Sequence, residues 1–253
     1  MNPLILVLLF VVTVAGSTLS GLTGLAGGAV ILGGLSLFYD PANALAMHGV
    51  VQGVGNATRI AFWWRSIHWN VVWRYSLLLL PGAWVGGVLF SHLNLSLMQA
   101  LLGLMILAAV WMPVPQQNRF KFTLNGFVWL GLVSGFFSML AGVVGPLLNP
   151  FFDKLGIKRE EMVSTKSTCQ FVLHISRISA YIGAVGIDYA QHSLELTLMM
   201  IAAVIGIFLA RPLGKKISDQ QLDVVLKVLL TIIGGHNLVR GLWDYITVQN
   251  HLG

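Results

Sequence analysis

A chain of 253 residues with 56% hydrophobic and only 9% charged residues is not a water-soluble globule, because soluble domains carry roughly 25% charged residues. Its net charge of +6 would suggest nucleic acid in a soluble protein, but in an apolar chain it reads as Lys and Arg gathered in cytoplasmic loops. The composition excludes most nucleic-acid binders and most enzymes of small polar metabolites. The single Cys169 forms no internal disulfide, and no Cys/His spacing suited to a metal is present.

In chain order, Leu4 to Val14 is apolar. No Lys or Arg precedes it, and a glycine-rich stretch follows where a signal peptide would have a cleavage site. It therefore reads as a retained first helix. Apolar segments are expected at about 3–22, 28–39, 43–65, 71–91 and 97–112. A polar stretch from Pro113 to Thr123 interrupts them, and they resume at about 126–140, 145–153, 159–185, 193–210 and 221–243. The expected fold is an all-α integral membrane protein with about 8–10 hydrophobic segments. Residues 1–112 form a first membrane repeat, 113–124 a cytoplasmic linker and 125–253 a second repeat.

Residue matches support the duplication. Leu25-Ala26-Gly27 recurs as Leu140-Ala141-Gly142, and Thr23 matches Ser138, at an offset of 115. Farther on the offset becomes 118, which aligns His48, Gln52, Asn56 and Arg59 with Lys166, Gln170, His174 and Arg177. With five segments per half, ten of the fifteen basic residues fall on one side, among them Arg65, Arg74, Lys158 and Lys215. With four per half they would be divided between the two sides. The positive-inside rule therefore favours the odd count, which turns the second half upside down relative to the first. Inverted repeats of this kind, with broken or re-entrant helices, typify secondary transporters whose site lies near the bilayer midplane. The short segments at 28–39 and 145–153 are the expected re-entrant elements, and both termini are expected in the periplasm.

The stripe His48, Gln52, Asn56, Arg59 has spacings of 4, 4 and 3, which put all four on one helical face. Lys166, Gln170, His174 and Arg177 repeat that face. An arginine at mid-membrane costs about 2.5–3.5 kcal/mol on insertion scales, so these side chains should face protein or a water-filled path. No acidic residue lies on either stripe, and the unneutralised charge favours an anion. The alternative is that Arg59 and Arg177 lie near helix ends and snorkel to headgroups.

Gly27 and Gly28 in the first break, and Gly142 and Gly145 in the second, permit tight reversal. A helix that starts inside the membrane offers free N–H groups to an anion. Thr23 and Ser138 could add hydroxyl donors. The competing reading is that the glycines only allow close helix packing. His48 and His174 could carry protons or act as plain hydrogen-bonding groups. Lys166 is either within reach of the cavity or turned to the cytoplasmic face. Trp63, Trp64, Trp69 and Trp73 read as an interfacial belt.

The two breaks, Gly24-Leu25-Ala26-Gly27-Gly28 and Leu140-Ala141-Gly142-Val143-Val144-Gly145-Pro146, together with Ala46-Met47-His48-Gly49, resemble the TauE/SafE sulfite exporter family over nearly the whole chain. The second break carries Val143 and Val144 where that family usually has glycines. The resemblance implies a bacterial inner-membrane permease for sulfite or small organosulfonates.

The expected protein is thus a multi-pass transporter of the cell inner membrane that exports a small sulfur-containing oxyanion by rocking one repeat against the other. Arg59 and Arg177 would supply charge, and Gln52, Gln170, Asn56 and His174 would donate hydrogen bonds. No ATP-binding motif is present, so the driving force is an ion gradient, the substrate's own gradient, or protons through His174. A passive anion channel and an import permease are alternatives, and a homodimer stays open. No cofactor, metal, nucleic-acid partner or catalytic residue is expected. A topology reporter fused at Gly253 is expected to report the periplasm; a cytoplasmic signal would overturn the odd count.

Overall fold

A computed structural model describes residues 2–23, 27–111, 123–142, 148, 151–152, 155–213 and 219–250. Its helices are α1 (Pro3–Thr23), α2 (Gly27–Ser36), α3 (Pro41–Trp63), α4 (Trp69–Leu77), α5 (Leu79–Ser91), α6 (Leu95–Trp111), α7 (Gly126–Ala141), α8 (Arg159–Ala180), α9 (Ser193–Leu213) and α10 (Asp219–Asn250). No strand occurs among the described residues. The fold is all-α, as the composition requires of a chain that must satisfy its backbone within lipid.

Three stretches are long and apolar enough to cross a bilayer: Pro3–Leu22, Trp69–Ser91 and Tyr189–Ala210. Other helices fall short for identifiable reasons. α2 and α7 are short, while α3 and α8 carry the polar stripes in their interiors. The segment expected at 71–91 is divided, because Leu78 leaves helical geometry (φ −108°, ψ 7°) between α4 and α5. Pro81 accounts for the break, since its ring clashes with the carbonyl four residues back and it has no N–H to donate. α8 also ends differently from a plain helix. It runs into a π-helical turn, Tyr181–Val185, closed by Gly186 in the left-handed region.

Helix α2 folds back along α1. A side-chain carbon built on Gly27 would meet Gly16 and Ser20, whereas one built on Gly34 would meet Val12, 2.7 Å away. All ten residues of α2 are buried, so it is a half-length element enclosed by protein. The turn after it meets the start of α9, where Tyr39 donates to Glu195 Oε1 (3.5 Å) and stacks edge-on against His192.

The remaining packing joins the two halves of the chain. α1 runs parallel to α9, with Ser17 against Gly206 and Gly21 against Ala210. α4 and α5 run parallel to α7, with Tyr75 against Gly131, Leu79 and Ala83 against Gly135, and Gly86 against Phe136. α3 is antiparallel to α8: Leu45 meets Arg177, Gly53 meets His174, and the His68 N–H donates to Thr165 Oγ1 (3.0 Å). α6 is antiparallel to α10, with Gly103 against Gly234 and Leu238, Gly241 against Ala100, and Trp111 Nε1 donating to Thr231 Oγ1 (2.9 Å). The pairing is reciprocal. α1 packs on α9 and α4–α5 on α7, while α3 packs on α8 and α6 on α10.

At the end of the molecule opposite Tyr39, the α3–α4 turn is latched to the start of α8. Ser164 Oγ donates to the Ser66 carbonyl (2.9 Å), and His68 Nε2 lies 3.4 Å from Glu161 Oε2. The Lys158 backbone N–H, and then His68, hold the Glu161 carboxyl below its ordinary range. Trp64, Trp69 and Trp73 are exposed here, with the Arg65 and Arg74 guanidiniums 5.1 and 4.4 Å from the Trp64 and Trp73 ring centres, an arrangement suited to a headgroup layer.

Because the halves meet through glycines, small additions at these seams should act strongly. A methyl on Gly131 would collide with the Tyr75 carbonyl, whereas one on Gly235 meets nothing within 4 Å. Gly131→Ala is expected to cost about 1–3 kcal/mol and to lower the apparent Tm in detergent. Gly235→Ala should leave the Tm unchanged or slightly higher.

Candidate functional site

The interior between α2, α3 and α8 is polar. His48, Asn56 and Arg59 on α3 are buried, as are Lys166, His174 and Arg177 on α8. Arg177 is 0% exposed and Arg59 6%, so neither guanidinium snorkels to the surface. Gln52 and Gln170 are half-buried.

The two arginines are held differently. Arg177 Nη2 donates to the Leu45 carbonyl of α3 (2.8 Å) and Nη1 to the Gly142 carbonyl (3.3 Å), and its Cζ lies 5.8 Å from the Tyr181 ring centre. Tyr181 in turn donates to the Met139 carbonyl (2.9 Å). Arg177 thus ties the N-terminal part of α3 to the C-terminal end of α7, where the helix dipole favours positive charge. Arg59 Nη2 donates to Ser20 Oγ on α1 (3.1 Å) and Nε to the Gly55 carbonyl (3.4 Å). Among the described residues, both arginines have neutral oxygens as hydrogen-bond partners, and no carboxylate pairs with either.

Gly142 is required twice over. It caps α7 with φ 68°, in the region where only glycine is unstrained. A side-chain carbon there would also lie 2.7 Å from Leu32 Cδ2 and close to Leu45. This glycine brings the α7 terminus against α2 and α3 and presents its carbonyl to Arg177.

The α3 stripe lies against the start of α2. The Gln52 amide and His48 Nε2 both face Gly28, the latter 3.3 Å from where a Cβ would be. Asn56 Nδ2 donates to the Gln52 carbonyl (2.9 Å). Across the interface His174 faces His48, with ring centres 6.2 Å apart, and lies within charge–charge reach of Arg177 and Arg59. Several buried polar atoms here lack a well-made hydrogen bond: both His48 nitrogens, although the Gly28 backbone lies beside that ring, His174 Nδ1, Arg177 Nε and Asn56 Oδ1. Each orphaned buried group costs about 1–3 kcal/mol, and four of these five are ring or guanidinium nitrogens.

Other sequence candidates fall elsewhere. Ser138 is buried, but its hydroxyl donates to the Gly135 carbonyl of its own helix (2.7 Å). Gly27 packs on α1 at Ser20. Thr23 ends α1, and its side chain lies outside the described residues, as does all of Gly145. Ser20, Leu45 and Tyr181 were not singled out from the sequence. Tyr181, four residues after Arg177, carried a usable signal, since i,i+4 residues share a helix face. A backbone carbonyl such as that of Leu45 leaves none.

An all-helical bundle with apolar outward faces, a half-length buried helix and a cationic, partly unsatisfied interior has the build of a multi-pass membrane transporter. The chain belongs to the sulfite exporter TauE/SafE family, whose model matches residues 8–236. It is therefore a member of a family of membrane transporters of sulfite or related anions. Neither the curated proteins nor the solved structures searched gave a match.

Gly142→Ala is expected to cost about 1–3 kcal/mol from backbone strain alone, and more from the clash with Leu32 and Leu45. Gly142→Asn, which tolerates the left-handed region better, should lose less if the conformation is the larger part of the effect. Thermal unfolding of the purified variants separates the two contributions.

Proposed function

We propose that this protein exports a small sulfur-containing oxyanion, sulfite or an organosulfonate, across the cell inner membrane by alternating access, as a secondary transporter without catalytic chemistry. The observation that carries the reading is the set of orphaned nitrogens on His48, His174 and Arg177 around two buried guanidiniums with no carboxylate partner. An oxyanion would supply counter-charge and acceptors together. Guanidinium uses only part of its five-donor fork on carbonyls here, and its remaining N–H groups suit sulfur-bound oxygens.

Arg59 and Arg177 would carry the charge. Gln52, Gln170, Asn56, His174 and His48 would bond the oxygens, with Gly28 allowing close approach. Lys166, Thr23, Ser138, Gly27, Gly142 and Gly145 would line or shape the path. An anion leaving the cell is helped by an inside-negative potential.

The proposed topology has two inverted repeats, 1–112 and 125–253, joined by a cytoplasmic linker at 113–124. The antiparallel packing of α3 on α8 and of α6 on α10 supports it, since counterpart helices in inverted repeats run in opposite directions. Arg65, Arg74 and Lys158 at the Trp-rich end support a cytoplasmic assignment for that end, which leaves both termini in the periplasm.

Uptake of labelled sulfite into inverted inner-membrane vesicles tests the assignment. Arg59→Ala with Arg177→Ala is expected to reduce the rate at least tenfold, and Arg59→Lys should retain part of it. A double alanine variant that is present in the membrane and transports at the wild-type rate would sink this reading.

A further inference from the structure

His48 and His174 project from α3 and α8 to face one another edge-on, at 6.2 Å between ring centres and 82° between planes. They are 1% and 5% exposed; His174 Nδ1 has no hydrogen-bond partner, and beside the His48 ring only the Gly28 backbone approaches a hydrogen bond. Buried polar groups in native proteins are almost always satisfied, so two adjacent imidazoles with so few well-made bonds point to something that binds there. The charged groups that face them are cationic: Arg177 acts on both rings, and Arg59 acts on His174. Among the described residues, the elements packed around them bring no acid to the pair. Helices α1, α2, α5, α6 and α7 contain no charged or histidine side chain. α4 contributes Arg74, which bonds the Asn70 carbonyl and Asn125 at an exposed edge. The carboxylate of α9, Glu195, accepts from Tyr39 at the opposite end of the molecule. On α8 itself Lys166 lies two turns before His174.

We propose that the His48–His174 pair takes up a proton together with the anion, so that the transported unit is an anion plus a proton. This rests on the anion-site reading above. A proton from bulk water placed on a free ring nitrogen adds positive charge beside two guanidiniums. An anion between the helices removes that repulsion and accepts the new N–H, and no bond within the anion is broken. Each ligand therefore improves the binding of the other, and the coupling is reciprocal. Histidine is the side chain whose ordinary titration range permits such exchange near neutral pH. One accompanying proton lowers by one the negative charge moved per anion, and a dianion would still be driven outward by an inside-negative potential.

The test is calorimetric titration of the purified full-length protein with sulfite, in pairs of buffers that differ in ionisation heat. Free sulfite's own titration is measured in the same buffers and subtracted. Wild type is expected to take up about one proton per bound sulfite, with the apparent Kd rising roughly tenfold per pH unit where uptake is complete. His48→Gln or His174→Gln, which keeps a hydrogen-bonding side chain but cannot take up a proton, should bind sulfite more weakly, with proton uptake abolished and a flat pH dependence; the Asn variants provide a second replacement if either Gln variant fails to fold. Sulfite binding without proton uptake in wild type, or with uptake unchanged in both histidine variants, overturns proton coupling and leaves the anion site standing. No sulfite binding by wild type overturns both.

Discussion

The structure depends on two guanidiniums that sit inside an apolar bundle and must find oxygen. A buried charge is tolerated only when hydrogen-bonded or paired, and among the described residues no carboxylate is supplied. Arg177 solves this with two backbone carbonyls, one near the start of α3 and one at the left-handed end of α7. That solution requires the α7 terminus to lie inside the protein, which in turn requires glycine at position 142. The cap, the break in the chain and the α3–α8 contact are parts of one constraint.

Arg59 is held more loosely. Its partners are a serine hydroxyl in the last turn of α1 and a carbonyl one turn back in its own helix. The two arginines, equivalent in the sequence alignment, are therefore unequal in the fold. Arg177 is anchored by fixed dipoles, whereas Arg59 depends on a hydroxyl that can rotate. An anion that draws on both would disturb the Arg59 contacts first. The partnerless atoms belong to Arg177, His174, His48 and Asn56, and donors already held in place cost little reorganisation when charge arrives.

Much of this was legible in the residues. Polar side chains at spacings of 4, 4 and 3 within apolar helices can only share a face, and the fold brings the α3 and α8 stripes together at His48, His174 and Arg177. The half-length second segment was readable from its length and flanking glycines, and family membership from the glycine breaks. The division at Leu78 was missed because Pro81 acts on a carbonyl four residues upstream, inside a run whose hydropathy never falters. The anchors at Leu45 and Ser20 were missed for a different reason: they are contacts between distant helices made by groups every sequence contains. Ser138 looked like a donor by its alignment with Thr23, but a buried serine in a helix readily spends its hydrogen on a carbonyl of the preceding turn.

The reciprocal packing has a consequence for how the chain is made. The glycine face of α1 that receives α9, and the face of α5 that receives α7, stay uncovered until the later helix is synthesised. At about 5–20 residues per second, α1 must wait on the order of ten seconds or more for its neighbour. During that interval the first half stands in the bilayer with bare backbone grooves and a buried-type arginine on α3, a state that lipid or an insertion chaperone must shelter. The contacts of α1 with α9 and of α5 with α7 form only after both partners have been made.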